Sequence, residues 1–372
     1  MEVNDQQKYR FLILGGNGFI GRNFVEFLIN ENIASKIRVV DKVVPQMNYF
    51  NERHKNIFSN KVVEYKSANL INKISCQKAF EDELAFDFVV NFAAETRLGH
   101  SEPVYEEGVY NLSINCAKES AKQNVRLYVE LSSHQFQDKL INHSLDSTCD
   151  SLLPFTPLAK YKLKVEKDLK NIENLDYIII RPALVYGLGD RMSLMPRIVI
   201  SSVYKHLNET MKLLWNKDLK LNTVHVQDLC DAIWFCCLNG KIANIYNVVD
   251  MGNTTQGIID QILSDIFSIQ FDYWGNNMSK VILKTKGLDE LIEEINDKHM
   301  KSWCDLCVNH KILNTPINPY LYKEMLQNTN LSLNGQKILS LGFSYKKPII
   351  TKELILEIIT DQIKLGLFPD IL

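Results

Sequence analysis

The stretch that decides the fold is Phe11-Leu12-Ile13-Leu14-Gly15-Gly16-Asn17-Gly18-Phe19-Ile20-Gly21, near the start of a 372-residue chain. Four apolar residues lead into a glycine turn with the spacing G-x-x-G-x-x-G, and an apolar pattern of helical period follows. Strand, glycine turn and helix in this order form the context that a dinucleotide-binding fingerprint requires. Gly15 permits a tight turn, Gly18 lets the backbone approach a pyrophosphate, and Gly21 allows close packing. The helix N-terminus at Phe19 and Ile20 offers free N–H groups to phosphates.

A carboxylate follows the next predicted strand. This strand, Ile37-Arg38-Val39-Val40, ends at Asp41, twenty residues after Gly21. A carboxylate at this place can accept hydrogen bonds from a ribose diol and would repel a 2′-phosphate. The sequence therefore predicts NAD as the cofactor and disfavours NADP, although the adjacent Lys42 acts in the opposite direction.

Further motifs occur in order along the chain. Asn69-Leu70 and Ala93-Ala94 follow later predicted strands, and Arg181-Pro182-Ala183-Leu184-Val185-Tyr186-Gly187-Leu188-Gly189-Asp190 precedes His225-Val226-Gln227-Asp228-Leu229. With the glycine turn, these motifs resemble those of the extended short-chain dehydrogenase/reductases, the group that contains the nucleotide-sugar epimerases and dehydratases. The resemblance implies that Asn69, Leu70, Ala93, Ala94 and Lys162 contact the cofactor, and that Arg191 and His225 contact a substrate.

The resemblance covers nearly the whole chain and implies an α/β fold. We expect a Rossmann doubly wound parallel sheet with a smaller, discontinuous C-terminal substrate lobe. Residues 8–186 and about 221–249 would form the dinucleotide-binding domain. Residues from about 187 to 220 and from 250 to 372 would form the smaller lobe.

The active-site helix of the family reads Pro-Tyr-x-x-x-Lys-x-x-x-Glu, and one position departs from that pattern here. Pro157, Lys162 and Glu166 match the family, but Leu158 stands where the catalytic tyrosine belongs. Leucine cannot exchange a proton with a substrate hydroxyl. Positioned acid–base catalysis contributes roughly 10²–10⁴-fold to rate, so the family's usual redox step is expected to be slow or absent.

The strand that precedes this helix ends at a second altered position. Ser133 matches the family's catalytic hydroxyl, but His134-Gln135 replaces the Asp-Glu pair with which the dehydratases carry out elimination. Glutamine transfers no proton, which disfavours a dehydratase. Two side chains nearby could act as substitutes: His134 as a base, and Tyr161 as a replacement phenol. For His134, a structural role is the favoured interpretation. For Tyr161, a packing role is favoured, because this residue points about 100° around the helix from Lys162.

Three functional hypotheses follow. The first is an NAD-binding protein that is non-catalytic or of altered chemistry, a pseudoenzyme serving as a binding, sensing or structural component of a larger assembly. The alternative is an active NAD-dependent epimerase or dehydrogenase on a nucleotide sugar or a 3β-hydroxysteroid-like alcohol, using Ser133, Lys162 and a substitute proton donor. The third is a scaffold with no nucleotide. A homodimer is also compatible with the family.

Composition restricts the class of protein. A net charge of −2 gives no nucleic-acid signal, and the sequence predicts no membrane span because it lacks a run of about twenty apolar residues. Eight cysteines without a predicted secretory signal favour reduced thiols in the cytoplasm.

Two clusters of polar residues have ordinary interpretations. A helix from Leu288 to Ile312 is predicted, and it carries the residues that a zinc site would need; packing is the favoured reading and no metal is expected. A second helix holds five lysines and predicts a solvated face, with a partner-binding patch as the alternative. The four candidate ligands are His299, Cys304, Cys307 and His310, and the lysines are Lys160, Lys162, Lys164, Lys167 and Lys170.

Overall fold

The computed structural model describes residues 8–138, 152–327 and 330–372. Its β-strands are β1 Tyr9–Leu14, β2 Ala34–Asp41, β3 Val63–Ser67, β4 Phe88–Asn91, β5 Leu127–Leu131, β6 Phe136–Asp138, β7 Leu152–Pro154, β8 Tyr177–Pro182, β9 Leu184–Tyr186, β10 Met211–Leu213, β11 Thr223–His225, β12 Asn244–Val248 and β13 Phe271–Tyr273. Its α-helices are α1 Phe19–Asn30, α2 Glu52–Phe58, α3 Lys73–Phe80, α4 Glu102–Tyr105, α5 Leu112–Lys122, α6 Pro157–Leu169, α7 Met195–Leu207, α8 Val226–Asn239, α9 Gln256–Phe267, α10 Gly275–Ile282, α11 Leu288–Asn309, α12 Gln336–Leu339 and α13 Lys352–Lys364.

The centre of the protein is a parallel seven-stranded sheet in the order β12-β8-β5-β4-β1-β2-β3. Its central strands are buried and apolar because helices cover both faces of a doubly wound sheet. The strand order reverses between β1 and β4, and in such sheets ligands bind beyond the carboxyl ends of the strands at this point. The predicted Rossmann α/β fold is therefore confirmed, and its geometry places a crevice next to the glycine turn.

Two apolar clusters lie on the two faces of this sheet, and a third lies away from it. The first packs α1 and α8 against one face, and the second packs α3 and α5 against the other. The third is built from α7, α9, α11 and α13. The short strand β11 pairs with β9 and not with the seven-stranded sheet, whereas β12 forms the sheet's edge next to β8.

The helical segment before β5 contains a π-helical turn. Residues Glu106–Asn111 form this turn and join α4 to α5. The segment packs along α6, and Lys160 and Lys164 of α6 form ion pairs with Glu102 and Glu106 respectively.

Candidate functional site

A cavity of about 760 Å³ lies at the carboxyl ends of β1, β2 and β4 and at the N-terminus of α1. It collects residues that are far apart in the sequence, as the switch point of the sheet requires. Of the predicted cofactor and substrate residues, those that line it are Gly15, Gly18, Phe19, Ile20, Gly21, Asp41, Asn69, Leu70, Ala93, Ala94 and Arg191.

Close backbone contacts explain the glycines of this cavity. Gly15 has φ +71°, and a Cβ there would lie 2.6 Å from the amide nitrogen of Ala93, so β1 and β4 approach too closely for a side chain. A Cβ at Gly21 would lie 2.5 Å from the carbonyl oxygen of Gly15. Gly18 is different, because its Cβ would meet only the Gly15 carbonyl oxygen, at 3.1 Å. Gly18 is thus less restricted by packing than Gly15 and Gly21, and it leaves space on the cavity side.

Backbone donors orient the Asp41 carboxylate at the end of β2. Its two oxygens accept hydrogen bonds from the N–H groups of Asn17 (3.2 Å) and Val43 (3.1 Å). Burial raises the pKa of Asp41, while these backbone donors oppose the rise. An ionised carboxylate has about four acceptor sites, and the backbone donors that act on Asp41 are those of Asn17, Val43 and Lys42, so about one site remains. Asp41 can therefore accept a further hydrogen bond from a ligand in the cavity.

A second carboxylate lines the same cavity. Glu95 accepts two hydrogen bonds from the Arg97 guanidinium, each of 2.9 Å, and lies 3.9 Å from the ammonium of Lys42. The Arg97 hydrogen bonds lower the pKa of Glu95 to about 2. Lys42 thus has Glu95 as an ion-pair partner in the lining of the cavity.

Lys162 lies outside the lining of the cavity, in a buried polar network. Its Nζ donates to Oε1 of Glu130 at 2.9 Å and to the backbone oxygen of Leu131 at 2.6 Å. Lys162 is 5% exposed and Glu130 is fully buried. The expectation that this lysine belongs to a solvated face is wrong, because the carboxylate of β5 draws it inward. Two of the three N–H donors of Lys162 are therefore used in hydrogen bonds within the protein.

The Glu130 carboxylate is the centre of this network, which the sequence did not reveal. Besides Lys162, it accepts hydrogen bonds from Asn91 Nδ2 (2.8 Å), Ser113 Oγ (3.0 Å) and Tyr128 OH (2.6 Å). A buried charge is tolerated when it is paired and hydrogen-bonded. The network therefore fixes α6, α5 and β4 to β5 and satisfies the charge of Lys162 internally.

The residues after β5 are occupied by structural contacts. Ser133 is 7% exposed, does not line the cavity, and accepts a hydrogen bond from the Gln135 N–H at 3.1 Å. The His134 ring lies 3.1 Å from the carbonyl oxygen of Pro182, and desolvation lowers the pKa of His134 to about 4. Gln135 accepts the hydroxyl of Thr156, the N-cap of α6, at 2.6 Å.

Tyr161 faces the neighbouring helix. Its hydroxyl donates to Glu102 at 3.0 Å, and its ring packs in a small apolar cluster with Tyr105 and Val109. Leu158 packs against the same cluster, and neither residue lines the cavity. Burial raises the pKa of Tyr161, and the hydrogen bond to Glu102 raises it further. The phenol of Tyr161, the candidate substitute for the missing tyrosine, therefore points away from the cavity, as its helical position predicts.

The remaining motif residues stabilise the protein around the site. Glu166 and Arg181 form a buried ion pair between α6 and β8, and Glu166 also accepts a hydrogen bond from Ser132. His225 is 2% exposed, accepts the Gln227 N–H as the N-cap of α8, and does not line the cavity. Of the two predicted substrate residues, the structure thus brings only Arg191 to the cavity.

With this geometry established, the comparisons identify the chain. The sequence model of the NAD dependent epimerase/dehydratase family matches residues 11–249, more than half of the chain. The chain belongs to this family. An uncharacterized protein of Schizosaccharomyces pombe is 23% identical over 380 residues, which cover 94% of this chain and 97% of that protein.

Solved structures of two enzymes share the fold at low identity. The dTDP-glucose 4,6-dehydratase DesIV of Streptomyces venezuelae, solved with NAD bound, has a TM-score of 0.67, 18% identity, and coverage of 95% of this chain and 97% of its own. The UDP-N-acetylglucosamine 4-epimerase of Methanobrevibacter ruminantium has a TM-score of 0.68, 16% identity, and coverage of 96% and 99% respectively. These structures share the fold, and the match to the family model confirms the predicted membership in the epimerase/dehydratase family.

Two further expectations concern metals and membranes. In the part of the chain that the structure describes, no group of three or more His, Cys, Asp or Glu side chains could hold a metal ion. His299 instead packs against the Tyr204 ring, and Cys304 is exposed whereas Cys307 is buried. Within residues 8–138, 152–327 and 330–372, no helix has both the length and the apolarity needed to cross a bilayer.

The buried cap of α8 predicts acid sensitivity in this family member. Burial, followed by the charges of Lys347 and Arg53, lowers the pKa of His225 to about 3. Between about pH 3 and the ordinary value near 6.5, the unfolded chain binds a proton that the folded protein does not. Stability therefore rises with pH in this window and is lost as the pH falls through it.

Replacing His225 with asparagine, another good N-cap residue, should remove this proton. We expect the slope of unfolding free energy against pH to decrease by about 1.4 kcal/mol per pH unit between pH 6 and 4. Urea titrations at several pH values measure it, with the exposed His206→Asn as a control. Equal slopes for wild type and His225→Asn would contradict the assignment.

Proposed function

We propose that this chain binds NAD and does not carry out the redox chemistry of its family, so that it acts as a binding, sensing or structural component. The observation that carries the proposal is the state of the proton-transfer site. Leu158 supplies no phenol, and the ammonium that would lower the pKa of a phenol is held by Glu130. The cavity for a dinucleotide remains open beside this altered site.

Support for a dinucleotide comes from the residues around the cavity. The glycine turn places the N-terminus of α1 at the cavity, where unpaired N–H groups favour phosphates. Asp41 lies at the end of β2, where its carboxylate can accept a hydrogen bond from a ribose hydroxyl and would repel a 2′-phosphate. The structural relative DesIV was solved with NAD bound. These features favour NAD over NADP as the ligand.

Support for the loss of proton transfer comes from the contacts of the side chains that could replace the missing tyrosine. A substitute acid or base must reach the reacting group within hydrogen-bonding distance, directly or through one water. Tyr161 donates to Glu102 on a neighbouring helix, and His134 is held neutral beside the Pro182 carbonyl oxygen. Ser133 keeps a hydroxyl but does not line the cavity. A bound dinucleotide would instead stabilise the fold by binding only the native state.

The same proposal assigns the parts of the chain. Residues 8–186 and about 221–249 would hold the cofactor, and about 187–220 with 250–372 would form the substrate-type lobe. The edge strand β12 and the separate apolar cluster of α7, α9, α11 and α13 support this division. The proposal also holds that the protein is cytoplasmic and is part of a larger assembly or a homodimer.

Calorimetric titration with NAD and NADP tests the proposal. We expect NAD to bind with micromolar affinity or better, and NADP to bind at least about tenfold more weakly, because a 2′-phosphate would face the Asp41 carboxylate. Asp41→Ala should reduce this preference. Incubation with NAD and dTDP-glucose or UDP-N-acetylglucosamine should yield no change in cofactor absorbance and no new sugar product at ordinary enzyme rates.

Two results would contradict the proposal. Failure of both dinucleotides to bind would favour a scaffold with an empty pocket. Turnover at ordinary rates, abolished by Ser133→Ala and by Lys162→Ala, would instead establish an active epimerase or dehydrogenase with a substitute proton donor.

A further inference from the structure

Two arginines lie together at one end of the cavity. Arg22 is on the first turns of α1 and is 3% exposed, and Arg191 follows β9. Both line the cavity, and both donate to the same backbone oxygen, that of Asn48, at 3.4 and 2.6 Å respectively. Gly189, with φ +91°, leaves room for Arg22, since a Cβ there would lie 3.2 Å from the guanidinium carbon.

The charges of this arginine pair are only partly balanced inside the protein. Among the residues that the structure describes, neither guanidinium forms an ion pair with a carboxylate. Asp361 is the carboxylate whose charge acts on both, but it accepts its hydrogen bond from Asn51. The Nε of Arg191 is buried and has no hydrogen-bond partner. Burial and the neighbouring charge of Arg191 lower the pKa of Arg22 to about 9.

Such an arrangement destabilises a protein unless an anion compensates it. Buried charges are usually paired, because removing them from water is unfavourable. Two like charges in contact add repulsion to this desolvation. Guanidinium groups also present several donors in a fixed plane, which suits the oxygens of phosphate groups.

We infer that Arg22 and Arg191 bind the pyrophosphate of the dinucleotide beside the glycine turn. This inference rests on the proposed NAD-binding function and adds the group that is recognised. The position supports it, because Nε of Arg22 donates to the Gly18 carbonyl oxygen at 3.2 Å, which places the guanidinium beside the N-terminus of α1. A diphosphate of a second ligand, such as a nucleotide sugar, has the same chemistry and is the competing source.

The inference predicts opposite effects on binding and on stability. Arg191→Met removes one of two like charges and keeps an apolar chain against the Tyr49 ring, which the guanidinium now covers at 5.1 Å. The melting temperature of the ligand-free protein should therefore stay equal or rise. Affinity for ADP-ribose should fall about 10- to 100-fold, the range for loss of a charged hydrogen-bond partner. An arginine with only a structural role would lower the melting temperature instead.

The matched control is Arg126→Met. Arg126 is exposed and covers the rings of Tyr9 and Phe88 at 5.6 and 5.5 Å, so this variant also removes a guanidinium from an aromatic surface. Calorimetry and thermal unfolding of wild type, Arg191→Met and Arg126→Met would use four probes: ADP-ribose, adenosine, UDP and inorganic pyrophosphate. We expect Arg191→Met alone to lose affinity for ADP-ribose and pyrophosphate, with adenosine binding unchanged.

Each other outcome has a distinct meaning. Equal ADP-ribose affinity in wild type and Arg191→Met would overturn the inference while leaving NAD binding intact. Loss of affinity for UDP but not for ADP-ribose would overturn the assignment to the dinucleotide and give the arginines to a second ligand. No ADP-ribose binding by wild type would defeat the proposed function itself. In that case, pyrophosphate binding that Arg191→Met abolishes would still identify the pair as an anion site.

Discussion

Replacing Lys162 with methionine is expected to lower the free energy of unfolding by about 3 kcal/mol or more, since breaking a buried ion pair typically costs about 3–5 kcal/mol. The variant leaves the Glu130 carboxylate buried with no opposite charge, although Asn91, Ser113 and Tyr128 still donate to it. Urea unfolding at pH 7, followed by circular dichroism, measures the change.

The matched control lies two residues away on the same helix. Lys164 pairs with Glu106 at 3.4 Å, and both side chains are more than 40% exposed. Lys164→Met should therefore change stability by about 1 kcal/mol or less, as surface ion pairs do. If the two variants are equally stable, Glu130 does not hold the Lys162 ammonium in a stabilising ion pair. Lys162 would then remain able to lower the pKa of a phenol, contrary to the proposed function.

Gly21→Ala is expected to destabilise the protein by about 3 kcal/mol or more, because inserting atoms into a packed interior typically costs about 1–3 kcal/mol and more where backbone must move. Its Cβ would lie 2.5 Å from the Gly15 carbonyl oxygen and 2.6 Å from the Gly16 Cα. Helix α1 would have to separate from the turn that precedes it. Thermal unfolding of the ligand-free protein measures this effect.

Gly18→Ala should affect NAD binding more than it affects stability. Gly18 has φ −65°, which any residue adopts, and its Cβ would meet only one atom, at 3.1 Å. Gly18 is the N-cap of α1, where alanine is less favourable than glycine, so we expect a loss of about 1 kcal/mol in stability. NAD affinity should be at least about tenfold weaker, because the methyl group would stand where the pyrophosphate approaches. Unchanged NAD affinity in Gly18→Ala would show that the dinucleotide does not use this turn.

The cavity could be predicted from the sequence because its residues belong to short local motifs. A glycine turn, an acid at a strand end and an Ala-Ala pair each follow a strand, and parallel strands deliver their carboxyl ends to one edge. Membership in the family also followed from these motifs. The position of Tyr161, turned from Lys162, followed from helix geometry alone.

The contacts that decide the chemistry could not be predicted, because they join residues that are distant in the sequence. Glu130 stood inside a strand and gave no signal of its own until the fold placed it beside Lys162. The four lysines of α6 cannot be distinguished in the sequence, yet Lys162 is buried whereas Lys160 and Lys164 form ion pairs with Glu102 and Glu106. Arg22 follows the last glycine of the turn, and its role depends on the loop after β9.

The pairing of Lys162 with Glu130 also bears on how this protein could evolve. A tyrosine regained at position 158 would lie one helical turn from an ammonium whose charge a carboxylate already balances. Its phenol would keep an acidity close to the ordinary value of about 10 and would gain little reactivity. Leu158→Tyr alone would therefore give little redox activity for selection to favour. A second substitution would have to remove the Glu130 carboxylate, on which the fold depends. Under the proposed function, this ion pair would make a loss of catalysis difficult to reverse.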